Sequence, residues 1–165
     1  MADTVLKIYG VESAGCSYSS PNAHYGSSST VRWESGENLY IKLDAFPDAY
    51  KYRAITNLTP YIYATGFDIE TSGARGKLEF AAVTEAFDID KVTFATRPSD
   101  STIGSTTIYN GELPAYITVY PETDIDKIRD VFEYGLLADA GSNLVLGTTR
   151  YSKKPYVEVR VGEEN

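Results

Sequence analysis

Apolar and polar residues alternate along much of this chain. The clearest example is the run Leu39-Tyr40-Ile41-Lys42-Leu43-Asp44. Successive side chains of a strand leave opposite faces of a sheet, so the three aliphatic residues share one face while Tyr40, Lys42 and Asp44 share the other. This alternation predicts an antiparallel sheet with one buried face and one face in water.

The same period of two occurs in further windows, namely 5–9, 30–34, 60–64, 77–82, 91–94, 115–120 and 155–161. Clusters of Gly, Pro, Asn, Ser and Asp separate the windows, and these residues favour turns and loops. Residues 99–105 are predicted to be a loop on this basis, and so is the segment 20–29 that precedes the window 30–34. We expect eight to ten antiparallel strands that form an all-β sandwich.

One window has the period of a helix instead. We expect a short helix at about 123–133, because apolar residues recur there at the spacing of one helical face: Ile125, Ile128, Val131 and Phe132. Thr123 is the predicted N-cap, acidic residues follow it in the first turn, and Gly135 lies near the end. The helix should lie at the edge of the sandwich.

The length and composition fit a single domain, residues 1–165. The 165 residues include 42% hydrophobic residues, and 14 Tyr accompany one Trp and one Met. A chain of this size buries roughly two thirds of its unfolded surface and can fold without disulfides. Tyr suits strands that are half exposed, because its ring is apolar and its tip is polar.

The charge balance excludes several classes of partner. The formal net charge is −8, and no cluster of Lys or Arg interrupts the acidic background. Nucleic acid and anionic lipid both need a basic surface, so neither is expected as a partner. No apolar stretch approaches the ~20 residues that span a bilayer. Residues 1–4 also lack the basic and apolar regions of a secretory leader, and we expect none.

Several segments resemble those of a known group of domains, in the same order along the chain. They are 21–31, 39–44 with 46–47, 87–98, the predicted helix with 134–137, and 151–159. Together they resemble DNRLRE-type domains, which are jelly-roll β-sandwich modules of bacterial and archaeal surface proteins and of polysaccharide-degrading enzymes. The resemblance covers about Val5 to Val161. It implies a jelly-roll sandwich and, since some such domains are classed as carbohydrate-binding modules, a carbohydrate ligand.

Residues with catalytic or metal-binding chemistry are few. His24 is the only histidine and Cys16 the only cysteine, and we expect both to have packing roles. Asp88 and Asp90 lie in an acidic turn and form a weak candidate for a calcium site. We expect no catalytic residues and no cofactor other than a possible calcium ion.

Tyrosines are the best candidates for ligand contacts. If Ile62, Ile117 and Val119 point inward, the alternation places four tyrosines on the outside: Tyr61, Tyr63, Tyr116 and Tyr120. An outer surface of this kind suits a sugar or another protein. The same pattern is also explained by tyrosines that only cover the sheet or are buried under loops.

These observations together predict a non-catalytic binding or assembly module. An acidic, tyrosine-rich sandwich without a leader favours a structural component of a virion surface, such as a capsid decoration, fibre or tail protein of a bacteriophage. Such a protein would be homo-oligomeric or bound to a lattice of other virion proteins. The alternative is a carbohydrate-binding module of an extracellular or cell-surface protein that contacts polysaccharide.

Overall fold

The computed structural model describes residues 4–32, 36–67, 75–141 and 144–162. Within these ranges the chain forms antiparallel strands and one short α-helix, which confirms the all-β class. The elements are β1 (Thr4–Ser17), β2 (Ser20–Tyr25), β3 (Thr30–Val31), β4 (Glu37–Leu43), β5 (Ile55–Phe67), β6 (Arg75–Val83), β7 (Asp100–Tyr109), β8 (Ala115–Thr118), α1 (Ile125–Glu133), β9 (Leu136–Ala140), β10 (Leu144–Gly147) and β11 (Tyr156–Val161). The eleven described strands exceed the expected eight to ten.

Strand β1 takes part in two layers of the sandwich. Its residues from Thr4 to Tyr9 pair with β11, and from Gly10 onward it pairs with β4 and then also with β2. The first sheet has the order β3-β10-β5-β11-β1, with β8 paired to β5. The second sheet has the order β1-β4-β9-β6-β7. All of these pairs are antiparallel.

The main core lies between the two sheets. Its fully buried members come from both layers and include Leu39, Ile62, Phe80, Leu136, Val157 and Val159. Leu39 and Ile41 are completely buried and Leu43 packs partly against the same cluster, so the inward face predicted for β4 is confirmed. Burial of this apolar surface is the dominant stabilising contribution to the fold.

Helix α1 contributes Ile128 and Val131 to this core and contacts β4, β5 and β6. The predicted helix is therefore confirmed, but its N-cap is Asp124 rather than Thr123. The side chain of Asp124 accepts a hydrogen bond from the backbone N–H of Asp126 at 2.9 Å. An Asp at this position satisfies one of the free N–H groups of the first turn.

Three local predictions were wrong. Residues 20–25 form strand β2, and residues 100–105 form the first part of strand β7, rather than loops, because pairing with β1 and β6 uses backbone groups and does not require an apolar side chain at each second position. The window 91–94 forms turns instead of a strand. Trp33 shares a strand face with Val31 in the window 30–34, which predicts that it lies in the core; it falls outside the described residues, so this stays a prediction.

The outer face of the second sheet is covered rather than wet. Residues 84–99, which we call the cover segment, lie over this face and bury Ile89 and Val92 against it. Tyr40 is consequently 0% exposed, with its ring 5.3 Å from that of Phe87, although the alternation predicted that it faces water. Lys42 is also partly covered, and its Nζ atom donates a hydrogen bond to the backbone carbonyl of Tyr134 at 2.6 Å. Among the described residues, no helix has the length and apolar character needed to cross a membrane.

Candidate functional site

The outer face of the first sheet carries a layer of tyrosines. In β5, Tyr61 and Tyr63 alternate with Ile62 and Ala64, which are both completely buried. Tyr116 of β8 lies directly opposite Tyr63 in the strand pairing. The outward orientation expected for these three tyrosines is therefore observed, and it follows from the period of the strand.

Six tyrosine rings on this face form one connected network of ring contacts. Tyr156 is central and only 8% exposed, and its ring stacks on Tyr61 with centroids 4.8 Å apart and planes 11° apart. Further ring pairs lie at 5.1 Å (Tyr116 with Tyr156), 5.2 Å (Tyr63 with Tyr116), 5.6 Å (Tyr9 with Tyr156) and 5.8 Å (Tyr63 with Tyr151). We call these residues the tyrosine face: Tyr9, Tyr61, Tyr63, Tyr116, Tyr151 and Tyr156.

Charged groups border the tyrosine face. The Nζ atom of Lys7 lies 4.4 Å from the ring centroid of Tyr156, and that of Lys153 lies 5.3 Å from the centroid of Tyr63. Both are cation–π contacts, which hold the lysine stems along the aromatic surface. An aromatic centre with a charged border is the usual anatomy of a protein interface.

Three hydroxyls of the tyrosine face, those of Tyr61, Tyr116 and Tyr156, are neutral at physiological pH. Burial raises the pKa of Tyr61, Tyr116 and Tyr156 above the usual value, and the nearby carboxylate of Glu158 raises it further for Tyr61 and Tyr156. Because an unperturbed tyrosine already titrates near ~10, these hydroxyls remain protonated. Each can donate a hydrogen bond, as Tyr116 does to the carbonyl of Lys154 at 3.0 Å.

Tyr120, the fourth predicted tyrosine, lies apart from the other three. It is 93% exposed and belongs to a cavity of about 650 Å³ that we call the edge groove. The groove is lined by described residues of β5, of β7, and of the end of β8 with the three residues that follow it, and none of them is charged: Thr59, Tyr61, Ile103, Gly104, Ser105, Thr106, Thr118, Val119, Tyr120 and Pro121. Tyr61 thus borders both the groove and the tyrosine face.

Backbone pairing fixes the wall of the groove that carries Tyr120. Just beyond Pro121, Glu122 exchanges two backbone hydrogen bonds with Leu58 of β5, at 2.8 and 2.9 Å. On the opposite wall, a Cβ added to Gly104 would lie 3.3 Å from Val119, so the absence of a side chain lets β7 approach this segment closely. Tyr120 is therefore presented to solvent from a fixed stretch of backbone.

The other chemical candidates have packing contacts. The Nδ1 atom of His24 lies 2.7 Å from the carbonyl oxygen of Val92 and ties β2 to the cover segment. Cys16 is completely buried, and burial raises the pKa of its thiol to about 12, which opposes formation of the reactive thiolate. The Asp88 carboxylate accepts the backbone N–H of Asp90 at 2.9 Å, a local turn contact.

In the described ranges, no group of three or more His, Cys, Asp or Glu side chains is arranged to hold a metal ion. Asp88 and Asp90 therefore have no third such ligand there. A separate polar pocket on the second sheet contains Glu79, Asp100 and Asp139. Burial, and then mutual repulsion with Glu79, raise the pKa of Asp100 and Asp139, so this cluster carries an unfavourable electrostatic energy when ionised.

Sequence reasoning found only part of the tyrosine face. It named Tyr61, Tyr63 and Tyr116 but missed three members. Tyr9 is the last residue of the predicted window 5–9 and Tyr156 is the second residue of the window 155–161, so the same alternation could have placed both on the outer face. Tyr151 lies in a turn between β10 and β11, where no periodic pattern indicates its direction.

Comparison with known proteins adds no relative. No protein-family model matches the chain, and no curated protein matches it. The likeness to DNRLRE-type domains therefore stays a prediction from the sequence motifs. The function has to be inferred from the tyrosine face and the edge groove.

Proposed function

We propose that this protein is a non-catalytic binding and assembly module and that the tyrosine face is its contact surface. The observation that carries the proposal is the continuous layer of six packed tyrosine rings on the outside of the first sheet. The partner is a protein of an ordered particle, and the particle is a virion, where this chain is a capsid decoration, fibre or tail component of a bacteriophage.

The physical support for a protein partner is the state of the rings before binding. Tyr61, Tyr116 and Tyr156 already pack against one another, so they lose little side-chain freedom when a partner covers them. Tyrosine also combines a large apolar area with a hydroxyl that can bond to a partner, which explains its enrichment at interfaces. Lys7 and Lys153 supply a polar border around this area.

The assignment to a virion is supported by analogy of fold and by the charge of the chain. β-sandwiches serve many functions, so fold alone does not define the partner. A particle surface nevertheless agrees with the strong net charge of −8, which keeps free copies soluble until they meet a specific lattice. Repetition on a symmetric lattice would multiply a modest contact by avidity.

The test uses particles isolated from the organism that makes this protein. Mass spectrometry of the particles should detect this chain, and purified protein should co-sediment with particles that lack it. Tyr9→Ala truncates a 45% exposed member of the tyrosine face and should weaken binding by roughly tenfold, because tyrosine is among the residues whose truncation costs interfaces the most affinity.

Tyr52→Ala is the matched control, since Tyr52 is 85% exposed and lies outside the tyrosine face. It should bind like the wild type. Absence of the chain from every assembled particle, or equal binding by the two variants, would overturn the proposal.

A second candidate function is carbohydrate binding, and the edge groove favours it. Pyranose rings present C–H groups that pack on aromatic faces, and their hydroxyls bond to groups such as those of Ser105, Thr106 and Thr118. A cavity of about 650 Å³ is of the size that holds small ligands. Because its described lining is uncharged, a neutral polysaccharide fits better than an anionic one.

Affinity electrophoresis in starch, galactomannan or xyloglucan tests this candidate. At least one of these gels should retard the wild type and Tyr52→Ala more strongly than Tyr120→Ala, whereas alginate should not. No retardation in any neutral gel, or retardation that is unchanged by Tyr120→Ala, counts against the candidate without affecting the assembly proposal.

A further inference from the structure

Strand β7 is the open edge of the second sheet. It is the last strand in the order and pairs only with β6 among the described residues. It is ten residues long, and none of the residues 101–109 is charged. Long uncharged edges are sites where another strand can be added, and natural proteins usually protect them with charges or prolines.

Hydrogen bonds with two side chains show which backbone groups of β7 point away from β6. The Nζ atom of Lys127 donates to the carbonyl of Thr102 at 2.8 Å, and a carboxylate oxygen of Glu112 accepts the backbone N–H of Tyr109 at 2.9 Å. Neither bond belongs to the ladder with β6, so both mark the outer side. Since outward groups alternate along a strand, Ser105 and Thr107 share the outward direction of Tyr109.

The outer edge is thus occupied at both ends and open in the middle. An irregularity of the pairing between Phe80 and Ala81 shifts the alternation of outward and inward backbone groups between Thr102 and Gly104. For this reason Thr102 and Ser105, which are three residues apart, both point outward. Between the two occupied positions, no described group forms a hydrogen bond with the outward backbone of Ser105 or Thr107. The open stretch is short, uncharged and bounded by one cation and one anion.

From this arrangement, we infer that β7 pairs with β7 of a second copy of this chain, antiparallel about a two-fold axis at Thr106. In this register Ser105 and Thr107 each exchange backbone hydrogen bonds with the same pair of the other copy. Lys127, held at Thr102, then lies beside the turn that carries the partner's Glu112, and symmetry produces this opposite-charge contact twice. The two second sheets become one continuous sheet across the dimer.

Charge supports a second copy as the occupant of this edge. Two molecules of net charge −8 repel each other, so the favourable approach is through an uncharged segment whose ends are complementary. A foreign strand would have to supply its own anion opposite Lys127 and its own cation opposite Glu112. A second copy carries both groups at the required spacing because the contact is isologous.

Sedimentation velocity of the purified protein over a range of concentrations tests the inference. The wild type should dimerise, and Lys127→Glu and Glu112→Lys should each raise the dissociation constant by roughly tenfold, because each substitution places like charges together twice. The double variant Lys127→Glu with Glu112→Lys should bind more tightly than either single variant, but more weakly than the wild type, because the new carboxylate at position 127 cannot donate to the Thr102 carbonyl and the new ammonium at position 112 cannot accept the Tyr109 N–H. This partial recovery is specific to a contact between copies, since Lys127 is paired with Glu122 within its own chain.

A backbone variant provides a second test. Ser105→Pro removes an outward N–H that the ladder with β6 does not use, and edge strands accept proline at such positions. It should abolish the dimer while the circular dichroism spectrum stays native. A fully monomeric wild type, a Lys127→Glu variant that associates more strongly, or a double variant that dimerises no better than the single variants would overturn the inference.

The dimer and the proposed assembly function can fail separately. The β7 edge is distinct from the tyrosine face, and Tyr9→Ala should leave the dimer dissociation constant unchanged. A dimer that binds no particle would overturn the assembly proposal alone, whereas particle binding by a protein that stays monomeric would overturn the β7 pairing alone.

Discussion

The change of β1 from one sheet to the other depends on the absence of a side chain at Gly10. This residue is buried and is the first that pairs with β4 after β1 leaves β11. A Cβ built at Gly10 would lie 2.7 Å from Cγ2 of Ile41, 3.0 Å from Cγ2 of Thr149 and 3.4 Å from Cγ of Pro155. Real Cβ atoms do not approach carbon as closely as the first of these distances, so Gly10→Ala must displace a core side chain.

The magnitude follows from two opposing effects. Forcing one extra methyl group into a packed core costs about 1–3 kcal/mol. Alanine restricts the unfolded chain relative to glycine and thereby returns about 0.4–1 kcal/mol. We therefore expect Gly10→Ala to lower the free energy of unfolding by about 1–2 kcal/mol, with a lower urea midpoint and an unchanged m value.

A double-mutant cycle with Ile41→Ala identifies the cause. Ile41 is completely buried, so its truncation alone should cost about 2–5 kcal/mol. It also removes the Cγ2 atom that the new methyl group meets, and in this background Gly10→Ala should be close to neutral. The coupling energy between the two sites should then be about 1–2 kcal/mol.

Urea unfolding followed by circular dichroism measures all four proteins of the cycle. Gly111→Ala is the control, because a Cβ at Gly111 meets no atom within 4 Å, and it should change stability by less than about 0.5 kcal/mol. A Gly10→Ala protein as stable as this control, or one that loses the same stability with and without Ile41, would refute the steric explanation.

Two further predictions concern charge and capping. Burial and the neighbouring carboxylate of Glu79 raise the pKa of Asp139 in the folded state. The contribution of the Asp139 carboxyl group to the free energy of unfolding is therefore fully present below the unfolded pKa near ~4, and it is lost as the pH rises through the folded pKa. Asp139→Asn should therefore stabilise the protein at pH 7, by less than about 1 kcal/mol after solvent screening, and the gain should vanish in urea titrations near pH 4. Asp124→Ala removes the cap on Asp126 and should cost about 0.5–2 kcal/mol, whereas Thr123→Ala should not; equal urea midpoints for these two variants would contradict the assigned cap.

Alternation in the sequence was a reliable guide wherever one side of a strand enters the main core. Leu39 and Ile41 of β4 are buried as predicted, and Tyr61 and Tyr63 lie on the outer face. The reason is that the period of two records a difference in burial between the two sides of a strand. The helical spacing around Ile128 was interpreted correctly for the same reason.

Polar strands were missed because their pattern carries no such difference. Strand β7 consists of Ser, Thr, Gly and Ile with few large apolar residues, which made its first half look like a loop. Its backbone pairs with β6 along its whole length, and this pairing depends on the neighbouring strand rather than on the side chains of β7. The same holds for β2, which pairs with β1.

The sequence by itself determined the all-β class, the helix, the inward residues of most strands and the outward direction of three tyrosines, because these depend on neighbours along the chain. Only the tertiary structure decided that the cover segment buries Tyr40 and that Tyr9, Tyr151 and Tyr156 complete the tyrosine face. It alone placed Lys127 and Glu112 at the two ends of the open β7 edge. Each of these features joins residues that are distant in sequence, and a local pattern of burial contains no information about which strand, turn or helix lies beside it.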